Sequence, residues 1–288
     1  MSFIIEKAAK TGFCVGVKRA IDIVTKEVTE RGTIETLGAI VHNEQVMEKL
    51  AGIGVKVVKD IDGIRDNVVV TSSHGVSPEI EQNIQSRNID IISTICGSVR
   101  RAQIAAKRLS EAGFFVVVYG DADHPEVKGI LGWVKGKGIA TLDYKVVAAL
   151  KPVPRKLGIL CQTTQVPDDF SEFCKKVIDI ALTKDSEIHL IDTICHDIRE
   201  RQEATVKLAQ RADLMLVVGG RSSANTKHLA ELASHITETH LIETAGEIRK
   251  TWLQGKKLVG IAAGASTAEE TIDEVINKLH LLNKSRGT

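Results

Sequence analysis

The sequence carries almost no net charge. Its 38 Lys and Arg stand against 37 Asp and Glu, for a net +1 with histidine neutral. No overall field draws such a chain to nucleic acid or to an anionic membrane, so any anionic ligand must be met by local groups. It also lacks any apolar run near the ~20 residues of a spanning helix. The start, Met1-Ser2-Phe3-Ile4-Ile5-Glu6-Lys7, shows no secretory pattern. A cytoplasmic protein that binds neither membrane nor nucleic acid is expected. No Cys-x-x-Cys pair occurs, which argues against a structural zinc finger. No Gly-x-x-x-x-Gly-Lys-Ser/Thr occurs, so there is no P-loop. The five cysteines are an odd number in a chain without an export signal. That argues for ligand or free thiols rather than a disulfide framework.

What is present is a threefold recurrence. Gly12-Phe13-Cys14-Val15-Gly16-Val17-Lys18-Arg19, Thr94-Ile95-Cys96-Gly97-Ser98-Val99-Arg100-Arg101 and Thr193-Ile194-Cys195-His196-Asp197-Ile198-Arg199-Glu200 each place a cysteine after an apolar run. An aliphatic residue follows three places later, then a basic residue, then a helical pattern. A thiolate at a strand end, facing the positive end of the next helix, is suited to bind metal. Three of them suggest one centre: an iron–sulfur cluster held by three cysteines, with one iron left open. Cys174, on an amphipathic stretch, reads as a small buried hydrophobe, and so does Cys161.

Strand-like runs and helical periodicity alternate along the chain. Strands are expected over residues 33–37, 55–58, 67–70, 89–92, 114–119, 156–161, 188–191, 214–218, 240–242 and 258–262. Helices are expected over 17–31, 44–51, 98–112, 168–182, 199–211, 245–252 and 268–282, and one capped by Ser77 with Pro78 at its first position. The stretch holding Gly129, Gly132, Gly136 and Gly138 reads as turn-rich. This is the pattern of an α/β protein with mostly parallel sheets, divisible at the cysteines into units 1–96, 97–195 and 196–288. In such sheets ligands bind beyond the carboxyl ends of the strands. Those ends carry Cys14, His42, His74, Cys96, His124, Thr163, Cys195, Ser223, Asn225 and Ser266.

Two loops, Ser222-Ser223-Ala224-Asn225-Thr226 and Gly264-Ala265-Ser266-Thr267, could bind phosphate or diphosphate through hydroxyls, an amide and helix N–H groups. Each also resembles a plain helix cap. His42, His74 and His124 could donate to such an anion or carry protons. Glu126, two residues after His124, is a candidate proton donor if enclosed, or merely a first-turn acid. Thr163 could relay its proton.

These residues resemble the 4-hydroxy-3-methylbut-2-enyl diphosphate reductase family (IspH/LytB type) over essentially the whole chain. The resemblance rests on Gly12-Phe13-Cys14-Val15-Gly16-Val17, Val41-His42-Asn43, Ser73-His74-Gly75-Val76, His124-Pro125-Glu126-Val127, Gln162-Thr163-Thr164, Arg201-Gln202-Glu203, Asn225 and Ala263-Gly264-Ala265-Ser266, in that order. It implies a trefoil of three pseudo-equivalent α/β units around a [4Fe–4S] cluster on Cys14, Cys96 and Cys195. It implies diphosphate binding by His42, His74, Ser223, Asn225 and Ser266, with His124, Glu126 and Thr163 around the hydroxymethyl group. The implied reaction is a two-electron reductive dehydroxylation giving isopentenyl and dimethylallyl diphosphates, with ferredoxin or flavodoxin as electron donor and a monomeric enzyme. Three positions depart from the family pattern. Gly97 stands where proline is usual, His196-Asp197-Ile198 where a hydroxyl-bearing turn is usual, and Ala224 where serine or glycine is common. A paralogue acting on another small anion, or a non-catalytic cluster protein, stays open on the sequence alone.

Overall fold

The computed structural model describes residues 2–183 and 185–284. The chain opens on β1 (Ile4–Lys7). Next, β2 (Ile34–Leu37), β3 (Val55–Val58), β4 (Val68–Thr71) and β5 (Asp90–Ser93) form a sheet in the order β3-β2-β4-β5. A second sheet uses β6 (Phe115–Tyr119), β7 (Gly138–Thr141), β8 (Lys156–Cys161) and β9 (Glu187–Ile191), in the order β7-β6-β8-β9. The third uses β10 (Leu214–Val218), β11 (Thr239–Ile242) and β12 (Leu258–Ala263), and β1 completes it in the order β11-β10-β12-β1. All pairings among these strands are parallel. The three sheets therefore share one strand order, and β1 takes the place that β5 and β9 take in theirs. Helices fill the connections: α1 (Val15–Arg31), α2 (Glu44–Ile53), α3 (Pro78–Ser86), α4 (Gly97–Glu111), α5 (Pro125–Leu131), α6 (Tyr144–Ala148), α7 (Pro167–Ala181), α8 (His196–Ala209), α9 (Ala224–Ser234) and α10 (Glu269–Lys284).

The α/β class with parallel sheets is as the alternating pattern predicts. One segment sits elsewhere than the chain order suggests. β1 belongs to the stretch 1–96, yet its backbone pairs with β12, Ile4 opposite Leu258 and Lys7 opposite Ile261. By contact, the described residues form two compact parts. One comprises residues 2–18, 41–50 and 196–284; the other comprises 19–40 and 51–195.

The first part holds the sheet containing β1, apolar on both faces. Leu214, Leu216 and Val218 of β10 pack with Ile272, Val275 and Leu279 of α10. Met215 and Val217, on the opposite face, pack with Leu208 of α8 and Leu229 and Ala233 of α9. The second part repeats this in its second sheet. Val116 and Val118 of β6 meet Ala102, Ala106 and Leu109 of α4. Val117 and Tyr119 meet Phe173 and Val177 of α7. Strand alternation under helices on both faces is what a continuous Val/Ile/Leu run encodes in a parallel sheet.

Two expectations are corrected. The stretch expected to be turn-rich keeps turns near Gly132 and Gly136, but Gly129 lies in α5 and Gly138 opens β7, because the His124-Pro125 start and the pairing of β7 with β6 outweigh those glycines. The helix expected over 245–252 is two short 3₁₀ turns, Ala245–Glu247 and Lys250–Leu253.

Candidate functional site

Each of the three recurring cysteines follows the strand in the fourth place of its sheet: Cys14 after β1, Cys96 after β5, Cys195 after β9. Each immediately precedes a helix, α1, α4 or α8. Each donates its backbone N–H to a carbonyl two residues beyond the third strand: Cys14 to Ala265, Cys96 to Ser73, Cys195 to Thr163, all at 3.0 Å. The likeness of Thr94-Ile95-Cys96 to Thr193-Ile194-Cys195 has its cause here. The buried Thr94 hydroxyl donates to the Thr71 carbonyl at 2.6 Å, and the buried Thr193 hydroxyl donates to that of Cys161, each sealing the end of a third strand.

The three thiols are partly exposed, whereas Cys161 and Cys174 are buried. Burial pushes the Cys161 thiol up to about 11 and the Cys174 thiol to about 12, so neither offers a thiolate near neutral pH. Two of the exposed sulfurs accept hydrogen bonds, Cys14 Sγ from the Val17 N–H at 3.3 Å and Cys195 Sγ from the Ser98 hydroxyl at 3.3 Å. Ser98 lies two residues past Cys96, so its bond joins the start of α4 to Cys195. Ser98 is silent in the sequence because nothing in its local pattern marks a partner so remote in the chain.

Glu126 is enclosed, at 2% exposure. Its two carboxyl oxygens accept from Thr163, Oε1 from the backbone N–H at 2.6 Å and Oε2 from the hydroxyl at 2.9 Å. Burial raises its pKa from 4.5 to about 7, against the lowering effect of the two Thr163 bonds. His124 caps α5, and its Nδ1 accepts from the Glu126 N–H at 3.2 Å. In the neutral ring the proton then resides on Nε2. The His74 ring meets that of His124 edge-on, with centroids 5.4 Å apart. His74, His124, Glu126, Thr163 and Cys195 are thus connected within one compact part: Thr163 holds Glu126 through its N–H and hydroxyl, and Cys195 through its carbonyl.

The other compact part assembles the serine loops. Ser223 caps α9 and accepts from Thr226 N–H at 3.3 Å. Asn225, 4% exposed, keeps both amide atoms buried without a hydrogen-bond partner in the protein. The Ser266 hydroxyl donates to the His42 carbonyl at 3.4 Å. A Cβ at Gly220 would fall 2.5 Å from that same carbonyl, so only glycine lets these loops meet. Burial, then the nearby Lys227 cation, hold His42 below the usual imidazole range, so its ring is neutral at pH 7. Lys227, in the first turn of α9, is a cation beside the serine loop that no motif in the sequence marks.

The His196-Asp197-Ile198 departure also acquires a setting. Asp197 Oδ2 accepts from Nε of the buried Arg201 at 2.8 Å, and Lys10 Nζ lies 3.2 Å from Oδ1. Arg201 Nη1 also donates to Ala263 O, at the end of β12, at 3.3 Å. The carboxylate thus anchors a buried arginine to the strand that leads into Ser266. Ile198 is buried, while the His196 side chain is exposed and paired with Glu200 at 3.3 Å.

Residues 5–280 match the family described as LytB protein. A 4-hydroxy-3-methylbut-2-enyl diphosphate reductase of Dehalococcoides mccartyi (strain CBDB1) is 53% identical over 279 residues, covering 97% of this chain and 98% of the relative. Among solved structures, an (E)-4-hydroxy-3-methyl-but-2-enyl diphosphate reductase, described as the terminal enzyme of the non-mevalonate pathway, shares 35% identity. Its TM-score is 0.70, with 98% of this chain and 100% of that one covered. The E-1-hydroxy-2-methyl-but-2-enyl-4-diphosphate reductase of Plasmodium falciparum superposes with a TM-score of 0.89 at 26% identity, over 96% of this chain and 88% of that one. With its full-length match and three like sheets each ending on a cysteine, the chain belongs to the LytB protein family, whose named relatives here are reductases.

Proposed function

We propose that this protein reduces 4-hydroxy-3-methylbut-2-enyl diphosphate, replacing the hydroxyl with hydrogen and giving isopentenyl and dimethylallyl diphosphates. The reaction takes up two electrons and two protons and releases water. The relatives' names and the LytB match support the substrate. Cys14, Cys96 and Cys195 would hold a [4Fe–4S] cluster. Their donor set suits it: partly exposed thiols with N–H and O–H donors on two sulfurs, while the other two cysteines are buried thiols. When bound, the cluster supplies electrons singly and an iron without a protein ligand that acts as a Lewis acid.

The observation that carries the proposal is the enclosed Glu126 carboxyl, held at both oxygens by Thr163, whose carbonyl binds Cys195. A carboxyl that keeps its proton to about pH 7 can hand it to a departing hydroxyl. Thr163 fixes the carboxyl's orientation, and the His124 Nε2–H is a donor for the same oxygen. His42, His74, Ser223 and Ser266 would bind the diphosphate, along with the unsatisfied Asn225 amide. Holding the diphosphate would orient the carbon chain. Electrons would come from a ferredoxin or flavodoxin to a monomeric, cytoplasmic enzyme. No helix among the described residues is long and apolar enough to cross a membrane.

The deciding experiment is anaerobic reconstitution, a count of iron and sulfide, and an assay of the diphosphate with a chemical electron donor. The expected result is four irons and turnover, with Glu126→Gln keeping its iron while losing about 100-fold or more in kcat. A full cluster without turnover on this diphosphate would reject the substrate; unchanged turnover in Glu126→Gln would reject the proton donor.

A further inference from the structure

The helix after each cysteine carries, five residues on, a side chain that reaches the loop of the next cysteine in the chain. Arg19, five past Cys14, donates from Nη1 to the carbonyl of Ile95 at 3.0 Å. Arg101, five past Cys96, donates from Nη2 to the carbonyl of Ile194 at 3.2 Å. Ile95 and Ile194 are the residues just before Cys96 and Cys195. Glu200, five past Cys195, accepts from Lys10 Nζ at 2.8 Å, and Lys10 lies four residues before Cys14. In chain order the contacts run from the first cysteine to the second, the second to the third, and the third back to the first. The last contact reverses the polarity: the acid is on the helix and the base in the loop. The Lys10 pKa is raised by its bonds to Glu200 and then to Asp197, as expected of a formed ion pair.

Resting on the cluster proposal above, we propose that Arg19, Arg101 and Glu200 are positioning residues, each fixing the loop of the cysteine that follows in the cycle. A metal centre needs its ligands held in place, and these contacts add to the Cys N–H bonds and to the Thr94 and Thr193 hydroxyl bonds that already fix the cysteine loops. A charged donor on the carbonyl next to each of two cysteines, and an ion pair near the third, restrain the loops further. Asp197 shares Lys10 at 3.2 Å. Asp197, an unusual residue two places after Cys195, thus reinforces the third contact.

The test exploits the offset between a residue and its target. Backbone amide exchange is followed by mass spectrometry on the full-length chain, purified anaerobically. Arg19→Met should speed exchange around Cys96 and not Cys14; Arg101→Met should act at Cys195 and not Cys96. Glu200→Gln should act at Cys14, less strongly because Asp197 still holds Lys10. Loss of one charged hydrogen bond predicts acceleration of about fivefold in the arginine variants. Arg19→Lys and Arg101→Lys should restore most of the protection, and they carry the test should a Met variant not fold. Unchanged exchange, faster exchange at the variant's own cysteine, or uniform loosening without rescue by lysine would each overturn the proposal. After reconstitution the Met variants should also release iron to a chelator faster. Amide exchange requires no iron, so a wild-type protein that fails to assemble a cluster would sink the earlier proposal and leave this result interpretable.

Discussion

Glu126 shows how one residue's surroundings set a pH range. In the unfolded chain its carboxyl loses its proton near 4.5, while burial holds the folded pKa at about 7. The protonated form is the donor, so kcat/KM should decline as pH rises through about 7. Thr163→Val deletes the hydroxyl bond that favours the carboxylate, so the same limb should move to higher pH, as a pH–rate profile would show. Stability has the same sign. Between pH 4.5 and 7 the folded state keeps a proton that the unfolded state has lost. Stability therefore falls with rising pH, by up to about 3 kcal/mol for this group. Glu126→Gln should remove that slope, and urea melts at pH 5 and pH 8 would detect it. A wild-type limb unmoved by Thr163→Val would mean that another group sets the profile.

At the level of elements, the start of α4 accounts for Gly97. Cys96 caps the helix with φ −67° and ψ 139°, the extended geometry that a residue before proline adopts. Gly97 is the first helical residue, and a Cβ there would meet nothing within 4 Å. Proline at this place costs no helix hydrogen bond, as at Pro78, Pro125 and Pro167. Gly97→Pro should therefore raise stability by about 0.4–1 kcal/mol through the unfolded chain. A calorimetric melt would show a small rise in Tm; a fall would mean that the glycine serves the loop in some other way. The cysteine loops, serine loops and most strands are legible in the sequence because their signals are local: an apolar run, then glycine, hydroxyls or a capped helix. What stays hidden is paired at a distance. A basic residue four places after Cys14 and Cys96 belongs to the recurring pattern, yet it is the next residue, Arg19 or Arg101, that makes the bond to a carbonyl more than 70 residues away. The glycines at 129, 132, 136 and 138 suggest turns, yet β7 forms there because β6 offers an open edge. Asp197 reads as a foreign residue beside Cys195 until Arg201 and Lys10 are seen around it.

For the whole molecule, the common strand order makes the chain a cycle cut at one place. Each sheet needs a fourth strand leading to a cysteine and a helix, and the third sheet takes its fourth strand from the beginning of the chain, with β1 on β12. The two ends of the described chain are in contact there. The Phe3 N–H donates to Asn283 Oδ1 at 3.0 Å, and Asn283 Nδ2 donates to the Phe3 carbonyl at 2.8 Å. Moving β1 and α1 to follow α10 would place every sheet's four strands in consecutive order without breaking a strand pair. A circular permutant opened between Gly32 and Thr33, with the old ends joined by a short flexible linker, should therefore fold. Gly32 lies just past α1 with a positive φ of 82°, outside any strand. Cutting there breaks only the turn between α1 and β2, and connections of this kind tolerate new termini. The expected outcome is wild-type far-UV circular dichroism, a cooperative melt and the same iron content after reconstitution. A permutant that stays unfolded would show that early placement of β1, and not the final pairing alone, is required to build the sheet that carries Cys14, Ser223, Asn225 and Ser266. A folded permutant that binds no iron would separate the fold from the centre. The connection between Arg31 and Thr33 would then be what keeps α1, and with it the Cys14 loop, competent to bind iron.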